Sequence, residues 1–178
     1  MASHHLRVCE VGKKEPEMRY LRNYACGGTY FFTVNLRDRE MQLLTEYITL
    51  LRSAVATVKA SHPFYIDAWV VLPDHLHTIW TLPNNDSDYS TRWRKIKKLF
   101  TKSVSRMDKR FIMGKGRIWQ ERFWEHTIRD ERDFKHHFDY VHFNPVKHGW
   151  VEQVSDWPYS SFHREVKRGI YHPSWNLY

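Results

Sequence analysis

Apolar residues recur along this chain at two periods, and the switches between them mark out strands and helices. Residues 29–35, Thr-Tyr-Phe-Phe-Thr-Val-Asn, are β-branched and aromatic and are entered through Gly27-Gly28, which predicts a strand. Over residues 39–59 the period becomes helical, with Leu43, Leu44, Tyr47, Leu51, Ala54 and Val58 on one stripe. Residues 64–72 and 75–82 predict two strands, with Pro73 and Asp74 confined to the turn between them. A polar loop at 84–88 leads into a helix over about 91–106, capped by Ser90, whose buried stripe is Trp93, Ile96, Phe100 and Val104. The basic, glycine-containing stretch 107–116 is expected to be flexible. A strand candidate at 117–128 precedes a helix from about 130 to 144. Pro145 biases the residue before it out of the α region, so the helix is expected to stop there. Residues 149–178, rich in Trp and Tyr, are expected to pack back across the domain as an arm.

The order strand, helix, strand, strand, helix, strand, followed by another helix, is that of the split βαβ, ferredoxin-like arrangement. The expected fold is an α+β sandwich. Its antiparallel sheet carries helices on one face and leaves the other for a ligand, with the last helix near the strand that begins at His75. A length of 178 residues suits one domain, 1–178. Within it, 1–17 reads as a mobile arm, about 18–160 as the core and about 161–178 as a C-terminal arm.

Composition narrows the function classes. Aromatic residues make up 16% of the chain, which argues against disorder, and the formal charge is +8 with a pI near 9.5. A basic, aromatic-rich protein suits a polyanion with stackable bases, meaning nucleic acid, better than an acidic metabolite. Cys9 and Cys26 are too few for a disulfide framework, which points to a reduced, cytoplasmic setting. Neither a secretory leader nor a membrane span is expected.

Strand alternation places His75, His77, Ile79 and Thr81 on one face, and Leu76, Thr78, Trp80 and Leu82 on the other. The second set is largely apolar and suits the core. The first presents two imidazoles side by side, as one divalent ion requires. Taken alone, His-x-His also describes ordinary hydrogen-bonded strand histidines, and two ligands do not complete a site. On the last helix, Phe134, Phe138 and Val141 form the core stripe. At about 100° per residue, Asp133, His137, Tyr140 and Asn144 form a second stripe roughly a quarter-turn away. Tyr140 and Asn144 are therefore neighbours one turn apart. Helix geometry alone equally allows a tyrosine at the core's edge with Asn144 as a C-cap.

These residues resemble a known family. His75-Leu76-His77 is similar to the HUH motif (U, a large hydrophobic) of single-strand DNA endonucleases with a tyrosine nucleophile. The run Asp139-Tyr-Val-His-Phe-Asn-Pro-Val-Lys-His-Gly149 resembles the signature of REP-associated tyrosine transposases, bacterial relatives of the smallest insertion-sequence transposases. Four further segments agree with it, at residues 20–35, 69–77, 118–126 and 157–162, so the likeness covers about residues 18–165. The resemblance implies Tyr140 as nucleophile and His75, His77 and Asn144 as ligands of one Mg²⁺ or Mn²⁺. It implies attack on a phosphodiester to leave a 5′-phosphotyrosine and a free 3′-hydroxyl, reversible into strand transfer. It also implies single-stranded hairpins of repetitive extragenic palindromes as substrate, in bacterial nucleoid DNA. A monomer is the expected state, with the helix-exchanging homodimer of related transposases as the alternative.

No phosphate-cradling glycine motif is present, and energy conserved in the covalent link removes any need for a nucleotide cofactor. For DNA contacts, Arg92, Lys95, Lys98 and Lys102 line one face of the helix after Ser90, with Arg94 and Lys97 nearby and no acid among them. Arg22, Asn23, Gly27 and Gly28 are candidates for close backbone approach to unpaired bases. Two competing readings are a non-cleaving hairpin-binding protein descended from such an enzyme and a water-activating phosphoesterase. The complete His75, His77, Tyr140, Asn144 set speaks against the first, and the absence of a second matching His-x-Thr motif or acidic cluster against the other.

Overall fold

Strand β1 (Thr29–Asn35) lies inside a four-stranded sheet because its side chains are apolar on both faces: Tyr30, Phe32 and Val34 point one way and Phe31 the other, all buried. The computed structural model describes residues 25–111 and 117–176. The arm expected at 1–17, Arg22, Asn23 and part of the stretch expected to be flexible lie outside the described residues. With β2 (Tyr65–Val71), β3 (His75–Thr81) and β4 (Trp124–Thr127), β1 forms a sheet in the order β2-β3-β1-β4, antiparallel at every step. That is the ferredoxin-like order expected.

Against the Tyr30–Phe32–Val34 face pack α1 (Leu43–Glu46), α2 (Ile48–Ser61) and α3 (Tyr89–Met107). Leu51, Val55 and Val58 of α2 and the whole expected stripe of α3 are buried there, with the Trp80 and Trp93 rings stacked 4.2 Å apart. Helix α3 begins at Tyr89, and its cap is Asp88, whose carboxylate accepts from Thr91 N–H at 2.9 Å. The strand expected over 117–128 shortens to β4, although Trp119 makes an isolated bridge to Leu36.

The second face is not left bare. Helix α4 (Glu131–Lys147) crosses β2 and β3, and Phe138 and Val141 join Phe31, Val70 and Ile79 in a second core. The C-terminal arm completes that core with Trp157, Phe162 of α5 (Phe162–Lys167) and Tyr171. The arm also follows the free edge of β2: Ser160 bridges Val70, and Ser161 N–H donates to Trp69 O at 2.8 Å. On edge strand β4, Trp124 stays outside this cover and is 47% exposed.

Helix α4 does not stop at Pro145; it continues to Lys147. A proline ring removes one N–H from the helical ladder, a loss of about 3 kcal/mol in an open helix interior. Here Asn144 and Pro145 are buried, and the following turn closes through His148 N–H to Asn144 O at 3.0 Å. Packing holds the helix past the point where local preference ends it. Among the described residues, no helix is long and apolar enough to cross a membrane.

His142 ties α4 to the arm and to the sheet. It is fully buried; its Nδ1–H donates to Phe138 O and its Nε2 accepts from Ser161 Oγ, each at 2.8 Å, while Ser161 Oγ accepts from Trp69 N–H at 2.9 Å. Burial pulls the His142 pKa down to about 4 from 6.5. An unfolded chain takes up this proton first, so the stabilisation is present above pH 6.5 and is lost as pH falls towards 4. The loss amounts to about 3 kcal/mol. Urea unfolding at pH 7 and pH 4 is expected to show it, and the His142→Gln variant is expected to lack this part of the acid sensitivity.

Candidate active site

His75 and His77 project from β3 onto the face covered by α4, as strand alternation requires. Their rings lie 5.0 Å apart at 86°, and both are buried. Each is aimed by a bond to Nδ1. Asp74 Oδ1 lies 2.7 Å from His75 Nδ1, and Thr33 Oγ1, across the β1–β3 pairing, lies 2.8 Å from His77 Nδ1. Arg39 in turn holds Asp74 through its Nε and Asn35 Oδ1 at 2.7 Å. These bonds fix both rings in the space under α4, the outer-shell support usual for metal-binding histidines.

Helix α4 brings Tyr140 and Asn144 to that space. The Tyr140 ring lies 5.3 Å from the His77 ring, and the Asn144 side chain lies beside the same imidazole. His77 Nε2 and Asn144 Oδ1 are both buried without a hydrogen-bond partner. With His77 Nδ1–H donating to Thr33 Oγ1, Nε2 and Asn144 Oδ1 are both acceptors, and each costs about 1–3 kcal/mol unless a cation or donor satisfies it. Burial pulls the pKa of both histidines below 6.5, that of His77 strongly, with the charge of His75, His148 and Lys147 adding to the effect at His77. Both imidazoles are therefore neutral at pH 7, the state in which an imidazole ligates. The donor set fits one divalent cation.

Sequence reasoning missed the residues that serve these four. Asp74 stood next to His75 but read only as a turn residue. Lys147 was hidden by the expected helix stop: because α4 continues, Lys147 lies seven residues beyond Tyr140 on the same face. Its Nζ sits 4.6 Å from the Tyr140 ring centre and 3.5 Å from the phenol oxygen. His148 also approaches, with its ring 5.1 Å from that of His75.

A second group of metal-ligating types, His126, Asp133 and His137, lies where β4 meets α4. Its atoms satisfy one another: His126 Nε2 lies 2.8 Å from Asp133 Oδ2, and His137 Nδ1 lies 2.9 Å from Asp133 O. Burial opposes it, yet bonds from His126 and Arg129 hold the Asp133 carboxyl at about 2. Unlike His77 and Asn144, this group has no orphaned atom among those buried without partners.

No family model matches the chain. Individual relatives do. It is 57% identical to the REP-associated tyrosine transposase of Escherichia coli K12 over 156 residues, covering 88% of this chain and 89% of that protein. The chain belongs to the REP-associated tyrosine transposases. A Haemophilus influenzae protein bearing the same family name is 46% identical, over 88% of this chain and 92% of its own length. The solved structure of a REP-associated tyrosine transposase bound to a REP hairpin superposes with a TM-score of 0.83 at 55% identity, covering 91% of this chain and 93% of that one.

Within this REP-associated transposase, the cations expected to meet DNA divide into two groups. Arg92 is a correction: it is 3% exposed, and its guanidinium donates to Asp86 Oδ2 at 2.6 Å, Pro63 O at 2.7 Å and Asp88 O at 2.9 Å. Since α3 starts at Tyr89, Arg92 stands three residues after one core residue and four before another, Ile96, and so falls on the buried side. Lys97 donates to Gln120 O at 3.0 Å and lies over the Trp119 and Phe123 rings, and Lys95 Nζ lies 2.8 Å from His62 Nε2. Arg94, Lys98 and Lys102 are exposed. Gly27 and Gly28 serve a turn. Gly27 has φ +68° and donates to Asp86 O at 2.8 Å, and a Cβ on Gly28 would meet Ala25 O at 2.9 Å.

Proposed function

We propose that this transposase cleaves and rejoins single-stranded DNA at REP hairpins through Tyr140. The observation that carries the reading is the convergence of Tyr140 with the orphaned His77 Nε2 and Asn144 Oδ1 in a chain of this family. His75, His77 and Asn144 would hold one Mg²⁺ or Mn²⁺, which when bound would polarise the scissile phosphate. The Tyr140 oxygen attacks phosphorus, the bond from phosphorus to the 3′ oxygen breaks, and the phenol proton leaves as the 3′ oxygen gains one. The products are a 5′-phosphotyrosine and a free 3′-hydroxyl, and reversal with another 3′-hydroxyl transfers the strand. Lys147, 3.5 Å from the phenol oxygen, places a positive charge where the phosphate must approach. Asp74 and Thr33 position the imidazoles, and the arm braces α4 through Tyr171 O–H to Asp139 Oδ1 at 2.6 Å, next to Tyr140.

The test is a labelled single-stranded REP hairpin incubated with the protein and Mg²⁺ or Mn²⁺, then run on a denaturing gel. A covalent protein–DNA adduct is expected. Cleavage without an adduct would point to hydrolysis, and tight binding with neither would point to a hairpin-binding protein.

The two groups of α3 cations predict opposite phenotypes. Arg92→Ala leaves three carbonyls and Asp86 without their partner and should cost about 3 kcal/mol of stability. Lys98→Ala with Lys102→Ala should leave stability unchanged. The pair should instead reduce the slope of log affinity against log salt by about one per lysine, measured by fluorescence anisotropy on the hairpin.

A further inference from the structure

The sheet face that carries His77 is covered by α4 over β2 and β3 but extends beyond it to the edge strand β4. What lies there is a line of rings leading to Tyr140. Trp124 pairs with Thr33, the residue bonded to His77, so its side chain rises from the same face one strand away. The Trp124 ring is parallel to that of His126 (7°) at 6.0 Å, and His126 stacks on His137 at 4.6 Å and 16°. Phe31 closes the line: its ring lies 5.6 Å from Trp124, 4.9 Å from His137 and 5.9 Å from Tyr140. The Asp133 bonds to His126 and His137 hold the middle of the line rigid.

Trp124 is nevertheless 47% exposed. An indole fixed from below with an accessible surface is costly to leave in water, and it can accept a flat π-system. The other exposed strand aromatic, Tyr65, pairs with Thr81 at the far end of β3 from His75. Cations flank the line on both sides: Arg129, 75% exposed beside Asp133, and Lys147 on Tyr140. Within a chain of net charge +8, an anionic ligand with an aromatic ring matches both features.

We infer that Trp124 is a stacking platform for an unpaired nucleobase next to the scissile phosphate, with His126, His137 and Asp133 as the support that holds it. The inference rests on the proposed single-strand cleavage at Tyr140. It adds a reason for single-strand preference: only an unpaired base offers a free ring face, whereas a paired base is already stacked within a duplex. Base–aromatic stacking tolerates any base, so the platform sets the position of the strand and not its sequence.

The test measures binding in the presence of chelator, so that cleavage plays no part. A hairpin with single-stranded flanks is titrated against wild type, Trp124→Ala and Trp124→Phe, and an abasic residue is placed in turn at each flank position near the cut. Trp124→Ala is expected to weaken binding on the order of tenfold, and Trp124→Phe to restore most of it. At one flank position the abasic DNA should weaken wild-type binding similarly and abolish the difference between wild type and Trp124→Ala. The inference is overturned if wild type binds every abasic hairpin as well as the intact one, or if the effect of Trp124→Ala is the same on all of them. The wild-type abasic series holds even if a variant fails to fold. Loss of all hairpin binding by wild type would instead remove the functional reading beneath it.

Discussion

Tyr140→Phe is expected to abolish the covalent adduct and to lower strand cleavage by at least about 10⁴-fold, the scale on which removing a nucleophile acts. Hairpin affinity should change little, because the phenyl ring stays in contact with Phe31 and His77. The oxygen alone is lost, and in the proposed mechanism it is the atom that bonds phosphorus. Its surroundings are arranged around it: Lys147 Nζ lies 3.5 Å away, and the ring is fixed against two aromatic neighbours on a helix capped by Asp130 and braced at its middle through Asp139. Quantitative gels with wild type and variant at equal bound DNA provide the measurement. Residual cleavage near the wild-type rate would transfer the reaction to water or to another group and would remove Tyr140 from the chemistry.

The second large effect concerns the cation. Mn²⁺ at about a hundred times its dissociation constant should raise the stability of the wild-type protein by about 2.7 kcal/mol, since only the folded chain assembles the three proposed ligands. His77→Ala and Asn144→Ala should lose that rise and should lower cleavage by more than roughly a hundredfold. His126→Ala should keep the rise, because the His126–Asp133–His137 group is already satisfied by its own bonds. Denaturation with and without Mn²⁺ reads stability independently of activity. A rise retained in His77→Ala and lost in His126→Ala would move the metal to the other cluster. The same experiment at lower pH should need more Mn²⁺, because protons and the cation compete for the same imidazole nitrogens.

Much of this was legible along the chain. The strand at 29–35, the helical stripes of α2 and α3 and the paired strands around Pro73-Asp74 follow from local periodicity, and the structure places them where that periodicity puts them. The alternation that turned His75 and His77 to one face is likewise local. The i, i+4 relation of Tyr140 and Asn144 follows from helix geometry alone. Errors arose where a distant contact outweighed a local preference. Pro145 is an end signal in isolation, but burial of the turn around it carries α4 on to Lys147. Arg92 looked like one more surface cation until the connection from α2 to β2 brought the carbonyls of His62 and Pro63 to its guanidinium.

Local sequence thus set the types of the elements, the faces on which His75, His77, Tyr140 and Asn144 lie, and the residues worth testing. Periods of 2.0 and 3.6 are properties of the backbone and need no neighbours to be read. It could not settle which cations remain in water or which polar atoms are left unpaired. Those depend on side chains brought together from far along the chain: Thr33 with His77, Tyr140 with His77, Ser161 with His142, Trp124 with Phe31. Desolvation and packing between such partners are set only when the two cores close on either side of the sheet. The orphaned His77 Nε2 and Asn144 Oδ1 come into being at that step.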